Sequence, residues 1–432
     1  MKKAASFALG CKVNQYESEA IAELFAEKGY EIVGIDEEAD VYVINTCTVT
    51  NFGDKKSRQL IRKVKRQNEN AIVAVVGCYA QTAPQELVKV EGVNLVIGTK
   101  DRAQIVEMVE NYRTENGVEN HVSDIMKERV FEPLSIQKLA NRTRAYLKIQ
   151  DGCSQYCSYC IIPYARGPIR SRDPQDVIAE VKRLAENGFK EVVLTGIHVA
   201  SYGKDRKDTS LLEILRQVHA VEGIERIRFS SIEPNVVTEE FAKAIAEMPK
   251  VCDHFHLSLQ SGCDKTLKEM NRKYDTEKYR QAAAILRKYL PEVALTTDII
   301  AGFPGETEED FQASYDFAKE IGFAKIHAFP YSPKKGTPAA ARKDQLLNAV
   351  KAERSHRLIE LSDKMADDFI QAYVGKEVEV LYERAVGEGV YEGHTTNYIK
   401  VQATSEKDLT NVICRTKITK AENEELFGVA EA

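Results

Sequence analysis

The sequence predicts a multi-domain α/β protein: an N-terminal parallel α/β sandwich, a central partial (β/α)6 barrel and a small all-β barrel at the C-terminus. Three observations carry that prediction. Short apolar runs alternate with amphipathic stretches before residue 115 and again from about residue 140 to 330, the pattern of parallel strands joined by crossover helices. The last 58 residues alternate apolar and polar instead, punctuated by Gly387, Gly389 and Gly393, as strands with turns do. A chain of 432 residues is also too long for one ordinary core.

The elements follow in order. Apolar runs at Ala5–Leu9, Val41–Asn45, Ala71–Val76 and Asn94–Ile97 are the first strands. Glu17–Lys28, Asp54–Arg66 and Asp101–Tyr112 are helices around them, so residues 1–115 form the first domain. Residues 116–138 are polar without a sustained period and read as a linker. The second domain, 139–370, has candidate strands at Arg144–Ile149, Glu191–Thr195, Arg226–Ser230, His254–Leu259, Ala294–Ile300 and Lys325–Phe329. Six βα units suit an incomplete barrel, with an open doubly wound sheet as the alternative. Lys343–Tyr373 reads as a long helix ending before Gly375. Glu377–Leu381, Tyr398–Gln402 and Val412–Lys417 are strands of the last domain, 371–432.

Composition limits the function. With 60 basic and 66 acidic residues the net charge is −6, so any nucleic-acid binding must come from local basic patches. No apolar run approaches the ~20 residues of a membrane span. Lys2 and Lys3 before Ala4–Gly10 imitate a short secretory signal, but a strand in a cytoplasmic protein fits better. Nine cysteines is an odd number for a paired disulfide framework.

Their placement is more telling. Cys153, Cys157 and Cys160 form C-x3-C-x2-C directly after the first barrel strand, where barrels keep their chemistry. Three thiolates on a four-iron cluster leave one iron open, whereas structural zinc closes four ligands; zinc and incidental cysteines remain alternatives from spacing alone. Cys11, Cys47 and Cys78 each follow a first-domain strand within two residues, so the sheet should gather them at one edge. Cys252, Cys263 and Cys414 read as ordinary thiols. His198, His254 and His256 read as structural, and Arg272 and Tyr274 as a helix end.

The cysteine motif with Tyr159 as its aromatic residue resembles the signature of radical S-adenosylmethionine (radical SAM) enzymes. Thr195–His198, Ser230–Pro234, Leu259–Gly262 and Asp298–Thr307 are similar to later segments of that family. Gly10-Cys11, Asn45-Thr46-Cys47 and Gly77-Cys78 resemble the N-terminal domain of the methylthiotransferases, and the C-terminal barrel is similar to their TRAM module. The resemblance implies two [4Fe–4S] clusters, one on Cys153, Cys157 and Cys160 and an auxiliary one on Cys11, Cys47 and Cys78. S-adenosylmethionine would be both methyl donor and radical source, with Tyr159, Gly196, Ser231, Glu233, Gln260 and Asp298 around it and no side-chain acid or base. The net reaction replaces C–H by C–S–CH3. An electron donor such as flavodoxin or ferredoxin and a sulfur source are implied partners.

The segments Leu9–Ser18 and Asn45–Thr50 resemble the branch acting on N6-threonylcarbamoyladenosine at position 37 of tRNA. The branches acting on N6-isopentenyladenosine and on a ribosomal-protein aspartate are the alternatives, and a non-catalytic iron–sulfur RNA-binding protein is a remoter one. Contact with the anticodon stem-loop is expected from Arg142, Arg144, Arg166, Arg170 and Arg172, which flank the cluster loop, and from Tyr398 and Lys400. Lys55, Lys56, Arg58, Arg62, Lys63, Lys65 and Arg66 add a basic helix face.

Overall fold

A computed structural model of the chain describes residues 1–136 and 143–431. Its first sheet contains β1 (Lys3–Ala8), β2 (Glu31–Ile32), β3 (Val41–Thr46), β4 (Ile72–Gly77), β5 (Leu95–Val96) and β6 (Glu119–Asn120). They lie in the order β2-β1-β3-β4-β5-β6, all parallel. Along β3 the side chains alternate between two buried faces. Val41 and Val43 pack with Ile21 and Phe25 of the helix Lys12–Glu27, whereas Tyr42 and Ile44 pack with Ile61 and Val64 of the helix Asn51–Gln67. Helices on both faces are why these strands read as unbroken apolar runs. The chain reverses its direction of travel across the sheet between β1 and β3, and such a switch point opens a crevice at the carboxyl ends of the strands.

One expectation needs correction here. Strand β6 lies inside the stretch read as a linker and pairs with β5. Two residues are too few to generate a period, and an edge position keeps them polar. Leu134 and Ile136, further along that stretch, are buried against Tyr16 and Ala20.

The central domain contains β7 (Arg144–Asp151), β8 (Arg170–Ser171), β9 (Glu191–Gly196), β10 (Arg226–Phe229), β11 (Ser231–Ile232), β12 (His254–Leu257), β13 (Ala294–Ala301) and β14 (Lys325–Pro330). The short β8 is antiparallel to β7. The others run parallel, in the spatial orders β7-β9-β10 and β11-β12-β13-β14. Spatial order therefore follows chain order, as in a barrel, without the reversal of a doubly wound sheet.

After the helix Asn348–Gln371 come β15 (Glu377–Gly387), β16 (Val390–Thr395), β17 (Lys400–Thr404), β18 (Ile413–Glu422) and β19 (Glu425–Glu431), closed into a barrel in the order β15-β16-β17-β19-β18. Strands β16 and β19 escape the sequence pattern because Gly393 and Gly428 interrupt their alternation. Arg226 fastens this barrel to the central domain, donating to the His394 carbonyl at 2.8 Å and to the Glu379 carboxylate at 2.8 Å. Among the described residues no helix is long and apolar enough to cross a membrane.

Candidate active site

Both cysteine triads sit where strands end. Cys11, Cys47 and Cys78 follow β1, β3 and β4, around the switch point of the first sheet. Gly10 holds φ at +99°, and a Cβ there would lie 2.7 Å from the Cys47 sulfur, so only glycine lets the two loops meet. Gly152, at φ +74°, plays the same part before Cys153, where a Cβ would lie 1.8 Å from the Pro168 carbonyl oxygen. Beyond Cys160 the chain forms the short helix Ile162–Arg166, which packs against the helix Cys78–Thr82. The two triads therefore flank one domain junction.

All nine cysteines are free thiols. Burial pushes Cys78 and Cys160 up to about 12 and Cys153 to about 11, and raises Cys47. These thiols are protonated at neutral pH without metal, so cluster binding must displace protons. Each triad has one sulfur held by a buried arginine. Arg166 Nε donates to Cys78 at 3.1 Å while its other nitrogens grip Glu17 at 2.5 Å and the Asn14 amide oxygen at 2.6 Å. Arg272 donates to Cys157 at 3.2 Å and to Glu233 at 2.7 Å. Arginines aimed at sulfur favour the thiolate form, which is the form that ligates iron. Among the described residues no three His, Cys, Asp or Glu side chains close around a single ion. A cubane asks for a different layout, because its three thiolates go to three separate irons. The donor sets fit four-iron clusters.

Sequence reasoning missed the charge network beneath the triads. Glu17 meets Arg102 at 2.5 Å, Lys148 at 2.7 Å and Arg166 at 2.5 Å, while Asp151 takes Lys148 at 2.6 Å and lies 3.5 Å from Arg170. The signal available was Lys148 and Asp151, two charges of opposite sign near the carboxyl end of the barrel strand β7.

Buried polar contacts occupy most of the arginine rim expected to contact RNA. Arg166, Arg170 and Arg172 are buried, and Arg144 nearly so. Arg172 pairs with Glu180 at 2.5 Å, Arg170 donates to the Arg166 and Pro168 carbonyls, and Arg144 bridges Glu191 at 2.5 Å to Glu383 at 2.9 Å. Arg166 and Arg144 read as a surface because their carboxylate partners, Glu17, Glu191 and Glu383, are remote in sequence. Arg142 lies outside the described residues. Tyr398, expected as a stacking platform, is instead packed against the His254 and His394 rings at 5.1 and 4.7 Å, with the Arg228 guanidinium 4.5 Å from its centre. Lys400 is paired with Glu392 at 2.6 Å and Glu425 at 2.9 Å. Arg272 and Tyr274, read as a helix end, are interior residues of the cluster site, joined at 2.9 Å.

A cavity of about 860 Å³ connects these parts. Its wall takes Gly10 and Lys12 from either side of Cys11, Ser231, His256, Asp298 and His327 from the central domain, and Tyr398 and Lys400 from the C-terminal barrel. Of the residues expected around S-adenosylmethionine, Ser231 and Asp298 line it, and Asp298 is 3.3 Å from His256. Glu233 lies in the cluster site between Arg272 and His198 (3.1 Å). The amide N–H of His198 donates to the Gln150 side chain, which packs beside Gly196. Gln260, at φ +71°, bridges β13 through Asp298 and Ile300. Tyr159 packs beside Met270, Phe303 and Tyr331.

Residues 147–318 match a family model described as the radical SAM superfamily, and residues 3–98 match one described as uncharacterized protein family UPF0004. The chain is 47% identical to the threonylcarbamoyladenosine tRNA methylthiotransferase MtaB of Bacillus subtilis, over 98% of this chain and 94% of the relative. It is 40% identical to the protein of that name from Aquifex aeolicus, over 95% and 99%. A tRNA-2-methylthio-N(6)-dimethylallyladenosine synthase of Clostridium botulinum is 37% identical over 97% and 95%. Among solved structures, the radical S-adenosylmethionine methyltransferase TsrM of Kitasatospora setae, with tryptophan and an S-adenosylmethionine analogue bound, superposes with a TM-score of 0.57 at 18% identity, over 79% of this chain and 75% of that one, a likeness of fold. With both triads on the expected domains and relatives matched end to end, the chain belongs to the radical SAM tRNA methylthiotransferases.

Proposed function

We infer that this chain converts N6-threonylcarbamoyladenosine at position 37 of tRNA to its 2-methylthio derivative. The observation that carries the reading is the cavity in which Gly10 and Lys12, on either side of Cys11, face the interior of the central barrel across one space. A base must leave its stack to enter such a space. Cys153, Cys157 and Cys160 would hold one [4Fe–4S] cluster and Cys11, Cys47 and Cys78 the auxiliary one. When bound, these clusters with S-adenosylmethionine supply the electron, the carbon radical and the sulfur. The protein's own work is positional. Arg272 and Arg166 each fix one sulfur, Glu233 and Glu17 fix those arginines, and Ser231 and Asp298 offer polar contacts in the cavity. Gly196 and Gln260, at the strand ends beside it, complete the cofactor surface, and Tyr159 anchors the cysteine loop in its apolar pocket. An electron donor and a sulfur source from the cytoplasm complete the reaction.

The test is mass spectrometry of tRNA nucleosides from cells lacking the protein. Loss of the 2-methylthio derivative of threonylcarbamoyladenosine is expected. Loss of the isopentenyladenosine derivative instead would overturn the substrate assignment.

For RNA contact, the helix Asn51–Gln67 replaces the buried arginines. Lys55, Lys56, Arg62 and Arg66 on it are exposed and form no ion pair among the described residues. Changing all four to glutamine is expected to lower the slope of log affinity for tRNA against log salt by about three, since each phosphate contact contributes roughly 0.7 to 0.9. An unchanged slope in a salt titration would remove this helix from the interface.

A further inference from the structure

The charges around the cavity do not all find partners. Its carboxylates do: Asp298 sits by His256, Glu424 by Lys325, and Glu425 by Lys400. Two of its lysines are held twice, Lys325 also by Asp363 at 3.1 Å and Lys400 also by Glu392 at 2.6 Å. Lys12 is different. Its ammonium lies 5.9 Å from the centre of the Tyr146 ring and has no carboxylate within ion-pair distance among the described residues. The guanidiniums of Arg144 and Arg228 add positive charge behind it, and both already lean on Glu191, at 2.5 and 2.9 Å. The wall beside Cys11 therefore offers one half-buried cation with no anion of its own.

We propose that the Lys12 ammonium binds the carboxylate of the threonyl group on N6 of the substrate adenosine, and that this contact separates acidic from hydrocarbon N6 substituents. The proposal rests on the substrate reading above and assigns its specificity to one residue. The threonylcarbamoyl group carries a free carboxylate, whereas an isopentenyl group carries none and would leave Lys12 buried unpaired, which is costly. Lys12 follows Cys11 directly, so its four-carbon stem can run along a base whose C2 faces the auxiliary site and reach the substituent beyond it. Rejection comes from the unpaired cation as much as selection comes from the new pair.

The test measures binding of reconstituted holoenzyme to three anticodon stem-loops: threonylcarbamoyl, its methyl ester, and isopentenyl. In the wild type, esterification should weaken binding by about tenfold or more, the usual worth of a charged hydrogen bond. In K12M the acid and ester should bind alike, and K12R should restore the difference. Because the comparison is a ratio within each variant, a general loss of RNA affinity cancels, and the wild-type and K12R arms stand even where K12M folds poorly. A K12M protein that keeps the full acid-to-ester ratio overturns the proposal, as does a wild type indifferent to esterification while still modifying the threonylcarbamoyl substrate. A wild type that modifies only the isopentenyl stem-loop overturns the substrate reading itself.

Discussion

Alanine at any one of the six triad cysteines is expected to reduce anaerobically reconstituted iron from about eight to about four per chain, and to abolish the methylthio product. Two thiolates hold a cubane poorly. The two triads should fail differently. Without Cys153, Cys157 or Cys160 the protein should neither cleave S-adenosylmethionine nor insert sulfur. Without Cys11, Cys47 or Cys78 it should still cleave S-adenosylmethionine reductively, uncoupled from product, because Arg272, Glu233 and the barrel strands remain in place. Iron analysis, 5′-deoxyadenosine release and nucleoside mass spectrometry read the three outcomes separately. Full product from a Cys11→Ala, Cys47→Ala, Cys78→Ala triple variant would mean that the first triad is structural and that the sulfur comes from elsewhere. About four irons in the wild type, or stoichiometric zinc, would count equally against two clusters.

What the sequence made legible follows from the range of the forces involved. The six long strands of the central domain were found to within two residues at their ends, because hydrophobic alternation is local and each βα unit repeats it. The triads were legible for the same reason: Cys11, Cys47 and Cys78 each follow their own strand, whose ends a parallel sheet gathers, and Cys153, Cys157 and Cys160 stand together after β7. Charge pairing has no local signature. Glu17 and Arg166 are 149 residues apart, and Arg144 and Glu383 are 239 apart, so a cluster of arginines around a cysteine loop looks like a basic rim until the carboxylates arrive from another domain. Lys12 was hidden by the same effect in reverse. Its significance is that no carboxylate among the described residues pairs with it, and a sequence cannot display that.

The largest stability effect is expected at Glu17. Burial alone would raise its carboxyl, but Arg102, Arg166 and Lys148 together hold it well below the usual carboxylate range. Removing one partner of a buried ion pair costs about 3–5 kcal/mol, because the charges left behind stay desolvated, and here three cations lose a carboxylate at once. Glu17→Ala should therefore lower the first thermal transition by roughly 10 °C. Glu17→Gln, which keeps the shape and an acceptor, should fall between it and the wild type. The pH dependence has a definite sign. A depressed carboxyl contributes fully above its unfolded pKa of about 4.3 and loses that contribution as the pH falls toward its folded value. The gap between wild type and Glu17→Gln should thus be constant from pH 6 to 8 and shrink below about pH 4. The consequence reaches the auxiliary site, because Glu17 also fixes the arginine that bonds Cys78. With Arg166 released, the auxiliary cluster should be lost on gel filtration while the iron of the radical SAM triad remains. A Glu17→Ala protein with wild-type melting and about eight irons would mean that the junction draws its stability from the apolar contacts of Tyr16, Leu134 and Ile136 and not from its charges.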